Sequence, residues 1–328
     1  MIRDGHDPEA LQAAVQALAA GQLLGLPTET VYGLAADACQ DAAVAKVYAA
    51  KGRPPDHPLI VHVADAAQVP HFAREVPAFA QRLMQAFWPG PLTLILPRRA
   101  GVAQASAAGQ DSIGLRCPSH PVAQALLRAC AAAGMPGLSA PSANRFGRVS
   151  PTRARHVQDE LGPELLVLDG GTCEVGIESA IVDCSRGAPV LLRPGQLTRA
   201  QIEAACGQPL AEPAQLASPA PRASGTLASH YAPRAKVQLM DAAHIRTRLA
   251  ALGPHAQNLA VWSRERPADL GAGVLWRAQP AHAAEAAHEL FALLRDFDAR
   301  GVASIWIEIP PEHPDWEGVH DRLRRAAA

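Results

Sequence analysis

The chain has few aromatic residues, 4% of 328, so its core must rest on aliphatic packing rather than on stacked rings. It has no surplus of charge: 30 Lys and Arg stand against 31 Asp and Glu, a formal net of −1. A protein built around a nucleic-acid or anionic membrane surface would carry a broad basic excess, so only a local basic patch stays open. The six cysteines, at 39, 117, 130, 173, 184 and 206, never form a C-x-x-C pair. That disfavours a structural metal site or a disulfide framework and suits a reducing compartment, so a cytoplasmic location is expected. No apolar run is long enough to span a bilayer, and "MIRDGHDPEALQAA" has no apolar signal core, which argues against a membrane role. Neither G-x-x-x-x-G-K-[ST] nor G-x-G-x-x-G occurs, so a nucleotide would be held without a P-loop or a dinucleotide fingerprint.

What is present is the composition of a globular protein, and the length favours two domains over one. "DPEALQAAVQALAAGQ" reads as a helix with Asp7 as its cap, Pro8 in its first turn and Gly21 as its stop. "DAAVAKVYAAKG" is a second helix, with Asp41 as the expected cap and Pro54 and Pro55 forbidding continuation. "LLGLP", "PLIVHV", "PLTLILP", "DSIGLRCP", "LLVLDGG", "SAIVDC" and "PVLLRPG" have the apolar character and length of strands. Helices and strands mix without strict alternation, which predicts a mixed, twisted α/β sheet over residues 1–207. Residues 208–234 turn rich in Pro, Ala and Ser and read as an extended linker. Over 235–328, "KVQLM", "NLAVWS", "GVLWR" and "SIWIEIP" alternate with helical segments, predicting a small parallel α/β domain of Rossmann-like layout.

Several polar groups could carry chemistry. In "KGRPPDHPLIVHV", Lys51 and Arg53 stand just past a helix end. They are either surface cations complementing the helix dipole, worth a few tenths of a kcal/mol, or a phosphate grip, Arg supplying a planar fork and Lys a point charge. His62 in the following strand is either a satisfied structural residue or a ligand. "LSAPSANRFGRVSPT" crowds Ser139, Ser142, Asn144, Ser150 and Thr152 into one loop with Arg145 and Arg148. Such residues satisfy their own backbone in ordinary loops; together they would also suit an anion or a ribose. Arg193 closes a buried strand and must find a partner or solvent.

"PTETVYGL", "KGRP…PLIVHV", "WPGPLTLIL", "SAPSAN…SPT", "ESAIVD" and "LLRPG", in this order, resemble the YrdC-like family over nearly all of the first domain. "SGTLASHYAP" followed by an α/β domain resembles the family's long form. The resemblance implies a YrdC-like catalytic domain that joins L-threonine, bicarbonate (or CO2) and ATP into threonylcarbamoyl-AMP, releasing pyrophosphate. Mg2+ is expected with ATP and no structural metal, and the product would pass to the tRNA threonylcarbamoyl transferase machinery. It implies catalytic roles for Lys51 and Arg53, and nucleotide contacts from Lys51, Arg53, Ser112, Ser142, Asn144, Ser150 and Arg193. His57 stands where the family usually has Asn; both donate and accept, with different reach. His230 or Tyr231 would close over the nucleotide as part of a lid. Thr30, His62, Arg116, Ala140 (through its backbone) and Ser179 would surround threonine. The alternatives are a related carbamoyl-adenylate-forming enzyme and an RNA-binding module of the same fold. Near-zero net charge and few aromatics leave direct tRNA binding weak or absent.

Overall fold

In a computed structural model of the chain, the described residues are 1–212, 220–225, 230–254, 256–268 and 270–328. Two compact units emerge. One is built from Met1–Phe146 and Ser150–Thr226, the other from Gly147–Val149 and Leu227–Ala328. Of the linker read at 208–234, residues 213–219 and 226–229 lie outside the described residues.

The first unit holds ten strands: β1 (Ile2–Asp4), β2 (Leu24–Leu26), β3 (Gly33–Asp37), β4 (Ile60–His62), β5 (Leu92–Pro97), β6 (Ser112–Arg116), β7 (Leu138–Ser139), β8 (Leu166–Asp169), β9 (Ala180–Asp183) and β10 (Val190–Arg193). They form one mixed sheet in the order β1-β8-β2-β3-β7-β4-β6-β5-β9-β10. The expected mixed α/β architecture is therefore present. Helix Pro8–Ala19 starts as the sequence indicated, with the Asp7 carboxylate accepting from Glu9 N–H and Pro8 in the first turn. Helix Asp41–Lys51 differs: its cap position is Gln40, and Asp41 is already helical. The Asp41 carboxylate is instead turned to the Ala105 N–H, 3.3 Å away, and its charge still favours the helix N-terminus.

Alternation along the strands decides where the site can form. In β5, Leu92, Leu94 and Leu96 pack with Ile113 and Leu115 of β6 and Val61 of β4 against helices Ala78–Phe87 and Arg199–Cys206. Each such leucine, fully buried, is worth about 1.5–3 kcal/mol. Strand residues of opposite parity point the other way, so Thr93, Ile95, Ser112, Gly114, Arg116, Ile60 and His62 share the second face.

The second unit is a four-stranded sheet of β11 (Lys236–Met240), β12 (Leu259–Ser263), β13 (Val274–Ala278) and β14 (Ser304–Glu308). The order is β11-β14-β12-β13 and every pairing is parallel. This is the Rossmann-like layout the alternating pattern predicted, built on helices Ala242–Leu252, Ala283–Ala299 and Glu317–Ala327.

Candidate active site

Register aligns one row of polar residues across three strands. His62 of β4 stands opposite Arg116 of β6, which stands opposite Thr93 of β5. The Arg116 guanidinium is buried, 2.7 Å from a Glu29 carboxylate oxygen and donating to Thr30 Oγ1 at 2.7 Å. Thr30 Oγ1 in turn lies 2.9 Å from Thr28 Oγ1. The stretch "PTETV" thus becomes a wall that fixes the guanidinium. Burial, with Arg116 beside it, lowers the His62 pKa to about 3, so this imidazole is neutral near pH 7 and both offers and accepts a hydrogen bond.

Thr93 Oγ1 meets Ser179 Oγ at 2.8 Å, extending the row to the residue before β9. Arg193, at the end of β10, donates to the Ser179 carbonyl through Nε and Nη2, at 3.1 and 2.9 Å. Gly195 permits this approach: a Cβ there would fall 2.4 Å from Ala180 N. Arg193 Nη1 also donates to the Ser224 carbonyl at 2.9 Å, and Arg53 Nη2 to Ser224 Oγ at 3.2 Å. Ser224 therefore bridges two arginines that lie 140 positions apart in the chain.

Residues Arg222–Ser224 follow the second face of the sheet. Arg222 and Gln110 exchange backbone and amide hydrogen bonds, and Ala223 packs on Ile95 and Ile181. A small cavity beneath them is lined by Ile60, Thr93, Ser112, Gly114 and Ile181. Sequence reasoning placed these three residues in the linker and lid at 208–234 but gave none of them a contact of its own. Only the strand parity, known once the sheet is built, shows that they cover the polar face.

Lys51 and Arg53 are not the surface cations that a simple dipole reading describes; they are 3% and 7% exposed. Lys51 ends its helix, and its Nζ donates to the backbone carbonyls of Ser142 and Asn144. Burial, then the nearby Arg53, lowers its pKa to about 7, with Glu160 and Glu178 pulling weakly the other way. A neutral amine still has two N–H groups for those carbonyls. Arg53 donates to the carbonyls of His57 at 3.2 Å and Pro58 at 3.0 Å, and its guanidinium lies 5.6 Å from the Phe146 ring centre. The His57 ring meets the same phenyl edge-on at 5.4 Å, and its pKa is lowered by partial burial and by Arg53.

In the serine-rich loop, Gly33 bridges to Ser142, Leu34 N–H donates to the Pro141 carbonyl, and Ala140 N–H donates to the Ile60 carbonyl. Ser150 Oγ donates to the buried Glu178 carboxylate. Ser112 opens β6 on the polar face. The structure thus gathers Thr30, Lys51, Arg53, His57, His62, Ser112, Arg116, Ala140, Ser142, Asn144, Ser150, Ser179 and Arg193 in the first unit. His230 and Tyr231 belong to the second. There the Tyr231 ring is fully buried at 5.3 Å from Phe291 and 5.4 Å from the Arg322 guanidinium, with its backbone at φ 62°. Arg148 also belongs to that unit, its guanidinium 3.6 Å from Asp298. Glu29, Thr93 and Glu178 complete the polar arrangement. Glu29 and Glu178 sit within quoted motifs, but their partners are distant in sequence.

Two family profiles match the chain. The Sua5, YciO and YrdC family, described as "Telomere recombination", covers residues 16–195. A second, described as "Threonylcarbamoyl-AMP synthase, C-terminal domain", covers residues 197–328. The chain is 37% identical over 330 residues to the threonylcarbamoyl-AMP synthase of Bacillus subtilis (strain 168), across 98% of this chain and 94% of the relative. It is 34% identical to that of Pyrococcus abyssi (strain GE5 / Orsay), across 99% and 96%. The structure of Pyrococcus abyssi Sua5 complexed with L-threonine matches with a TM-score of 0.86 at 34% identity, over 97% of this chain and 94% of that one. A variant of the same protein, with an adjacent His and Tyr changed to alanine, matches at 0.89 and 32% identity, over 100% and 96%.

Proposed function

We propose the function of this chain from one premise: it belongs to the threonylcarbamoyl-AMP synthase family, the Sua5 and YrdC lineage. On this reading it is a nucleotidyltransferase that makes threonylcarbamoyl-AMP from L-threonine, bicarbonate or CO2, and ATP, releasing pyrophosphate. Its product serves threonylcarbamoyladenosine formation in tRNA and passes to the transferase machinery in the cytoplasm. Among the described residues no helix is long and apolar enough to cross a membrane.

The observation that carries the reading is the cross-strand row of His62, Arg116 and Thr93, set beside the Lys51, Arg53 and Arg193 cations. In the proposed site Arg116 pairs with the threonine carboxylate. Thr30, Ser179, neutral His62 and the Ala140 backbone supply hydrogen bonds around the amino acid. The uncharged threonine amine attacks CO2, forming the C–N bond of an N-carboxylate and losing a proton. That carboxylate then attacks the α-phosphorus of ATP, and the bond to pyrophosphate breaks. No protein nucleophile is required. The chain's work is positioning and neutralising phosphate charge, by Lys51, Arg53 and Arg193, with Ser112, Ser142, Asn144, Ser150 and His57 orienting the nucleotide.

Glu178 is a buried carboxylate beside Ser150 and within electrostatic reach of Lys51, a hard oxygen donor suited to Mg2+ arriving with ATP. The ion's contribution there would be neutralisation of phosphate charge. For His230 and Tyr231, a contact with nucleotide requires the Tyr231 ring to leave its buried seat or the segment to act through His230 and backbone.

The test is to incubate the protein with ATP, bicarbonate and each of several amino acids. Threonine-selective pyrophosphate release is expected. Release that is equal for all amino acids, or absent, overturns the reading.

A further inference from the structure

The second unit contains a cleft of about 510 Å3 that the catalytic reading does not use. It lies at the carboxyl ends of the parallel strands: Ser263 closes β12, Glu308 closes β14, and helix Ala242–Leu252 begins beside them after β11. From β12 the chain runs outward to β13. From β14 it turns back, and helix Glu317–Ala327 packs on β11. The two connections part above the adjacent ends of β14 and β12. Such a parting is where open parallel sheets take ligands.

Three arginines line this cleft, and they are not equivalent. Arg264 is committed: its guanidinium and its backbone N–H both donate to the buried Glu308 carboxylate. Among the described residues Arg246 has no hydrogen-bond or ion-pair partner, and Arg266 has only the Trp276 ring, 5.8 Å away. Among the described lining residues Glu265 is the other carboxylate. Asp241 is near but caps the helix start, accepting from His244 N–H at 2.7 Å. Among the described lining residues, two uncommitted guanidinium groups thus stand against one carboxylate outside the Arg264 pair, with Ile245 and Pro267 as apolar lining.

We propose that this cleft is a second ligand site, for a phosphomonoester of mononucleotide size, gripped by Arg246 and Arg266. A guanidinium fork matches phosphate geometry and holds its charge without titrating. The volume lies within the roughly 300–1,000 Å3 of small-molecule sites. The apolar lining receives the part of the ligand that carries no charge. A concave pocket holding two free arginines, on a chain of net charge −1, suits a small molecule better than an RNA backbone, which needs a longer basic track.

The test is calorimetric titration of the full chain with AMP. Two sites are expected in the unaltered protein, and one remains in Arg53→Ala, where the site of the first unit is weakened. Arg246→Ala and Arg266→Ala each weaken the remaining site about 10-fold, and inorganic phosphate competes for it. Arg264 is left intact, because removing it would strand the buried Glu308 charge. If Arg53→Ala does not fold, the same comparison is made by combining Arg246→Ala with Arg266→Ala in the unaltered background, where the stoichiometry should fall from two to one. AMP binding that the arginine pair does not affect, or a single site abolished by Arg53→Ala, overturns the proposal. So does loss of tRNA affinity in the pair variant without any AMP site, which would make this a nucleic-acid face. Threonine-dependent pyrophosphate release, measured in parallel, reports separately on the catalytic reading.

Discussion

Lys51 offers the sharpest test of how the first unit meets a phosphate. Its amine is buried at the end of a helix, donating to two backbone carbonyls, and its pKa falls from the ordinary 10.5 to about 7. Charging it in the free protein therefore costs on the order of 5 kcal/mol relative to water. At pH 8 it is about nine-tenths neutral. A triphosphate brought against it reverses the balance, because an adjacent anion favours the charged form. ATP binding at pH 8 should then take up close to one proton. Calorimetric titrations in two buffers of different ionisation enthalpy read this directly. Uptake should shrink at pH 6, where the amine is already charged, and vanish in Lys51→Arg, whose guanidinium has no proton to gain. The linkage has a second face: between about pH 7 and 10.5 the unfolded chain holds more protons here than the folded one, so this residue makes the free protein more stable as pH rises through that window. A binding heat independent of buffer at pH 8, with ATP bound, would refute the reasoning.

Arg116→Ala should weaken threonine binding far more than ATP binding in calorimetric titrations; it should also destabilise the fold by about 3–5 kcal/mol, because the Glu29 carboxylate loses its buried partner. Adding Glu29→Gln should recover part of the stability without recovering threonine affinity, and equal loss of both ligands would make Arg116 a structural or nucleotide residue. The pKa of His62 is depressed to about 3, so its contribution to stability is full above about pH 6.5 and falls away as the pH drops below it. His62→Gln should therefore narrow the stability gap between pH 8 and pH 5 by about 2 kcal/mol, read from denaturant midpoints at both pH values. Gly195→Ala should cost at least about 2 kcal/mol in the same assay, since its Cβ would meet Ala180 N at 2.4 Å and backbone has to move.

The strands rich in Leu, Ile and Val were legible in the sequence because their burial leaves a plain apolar signature: "PLTLILP" becomes Leu92–Pro97 and "SIWIEIP" becomes Ser304–Glu308. Others left little trace. Gly33–Asp37 reads "GLAAD", without one β-branched residue, and is a strand because both its neighbours in the sheet claim it. Helix Ala154–Leu161 buries only Ala154 and Val157, and helix Arg199–Cys206 only Ile202 and Cys206, too few for a period to show. At the candidate site, motifs pointed to residue types but not to pairs. Arg116 and Glu29 are far apart in the chain and meet through strand register. From its segment alone Lys51 is as consistent with a surface cation as with a phosphate grip, because a helix end is usually exposed; here the serine-rich loop is folded over it.

The pairing of β1 with β8 has a consequence for synthesis. Ile2–Asp4 has its partner at Val167–Asp169, so this strand is made about 165 residues before the strand it pairs with. At about 5–20 residues per second, it waits roughly 8–30 s for that partner to be made. During this interval its backbone groups are open to any passing strand. Its brevity, three residues, and the charges of Arg3 and Asp4 are the features that discourage such pairing. The N-terminal edge of the sheet is therefore shaped as much by the time the nascent chain spends incomplete as by the finished fold.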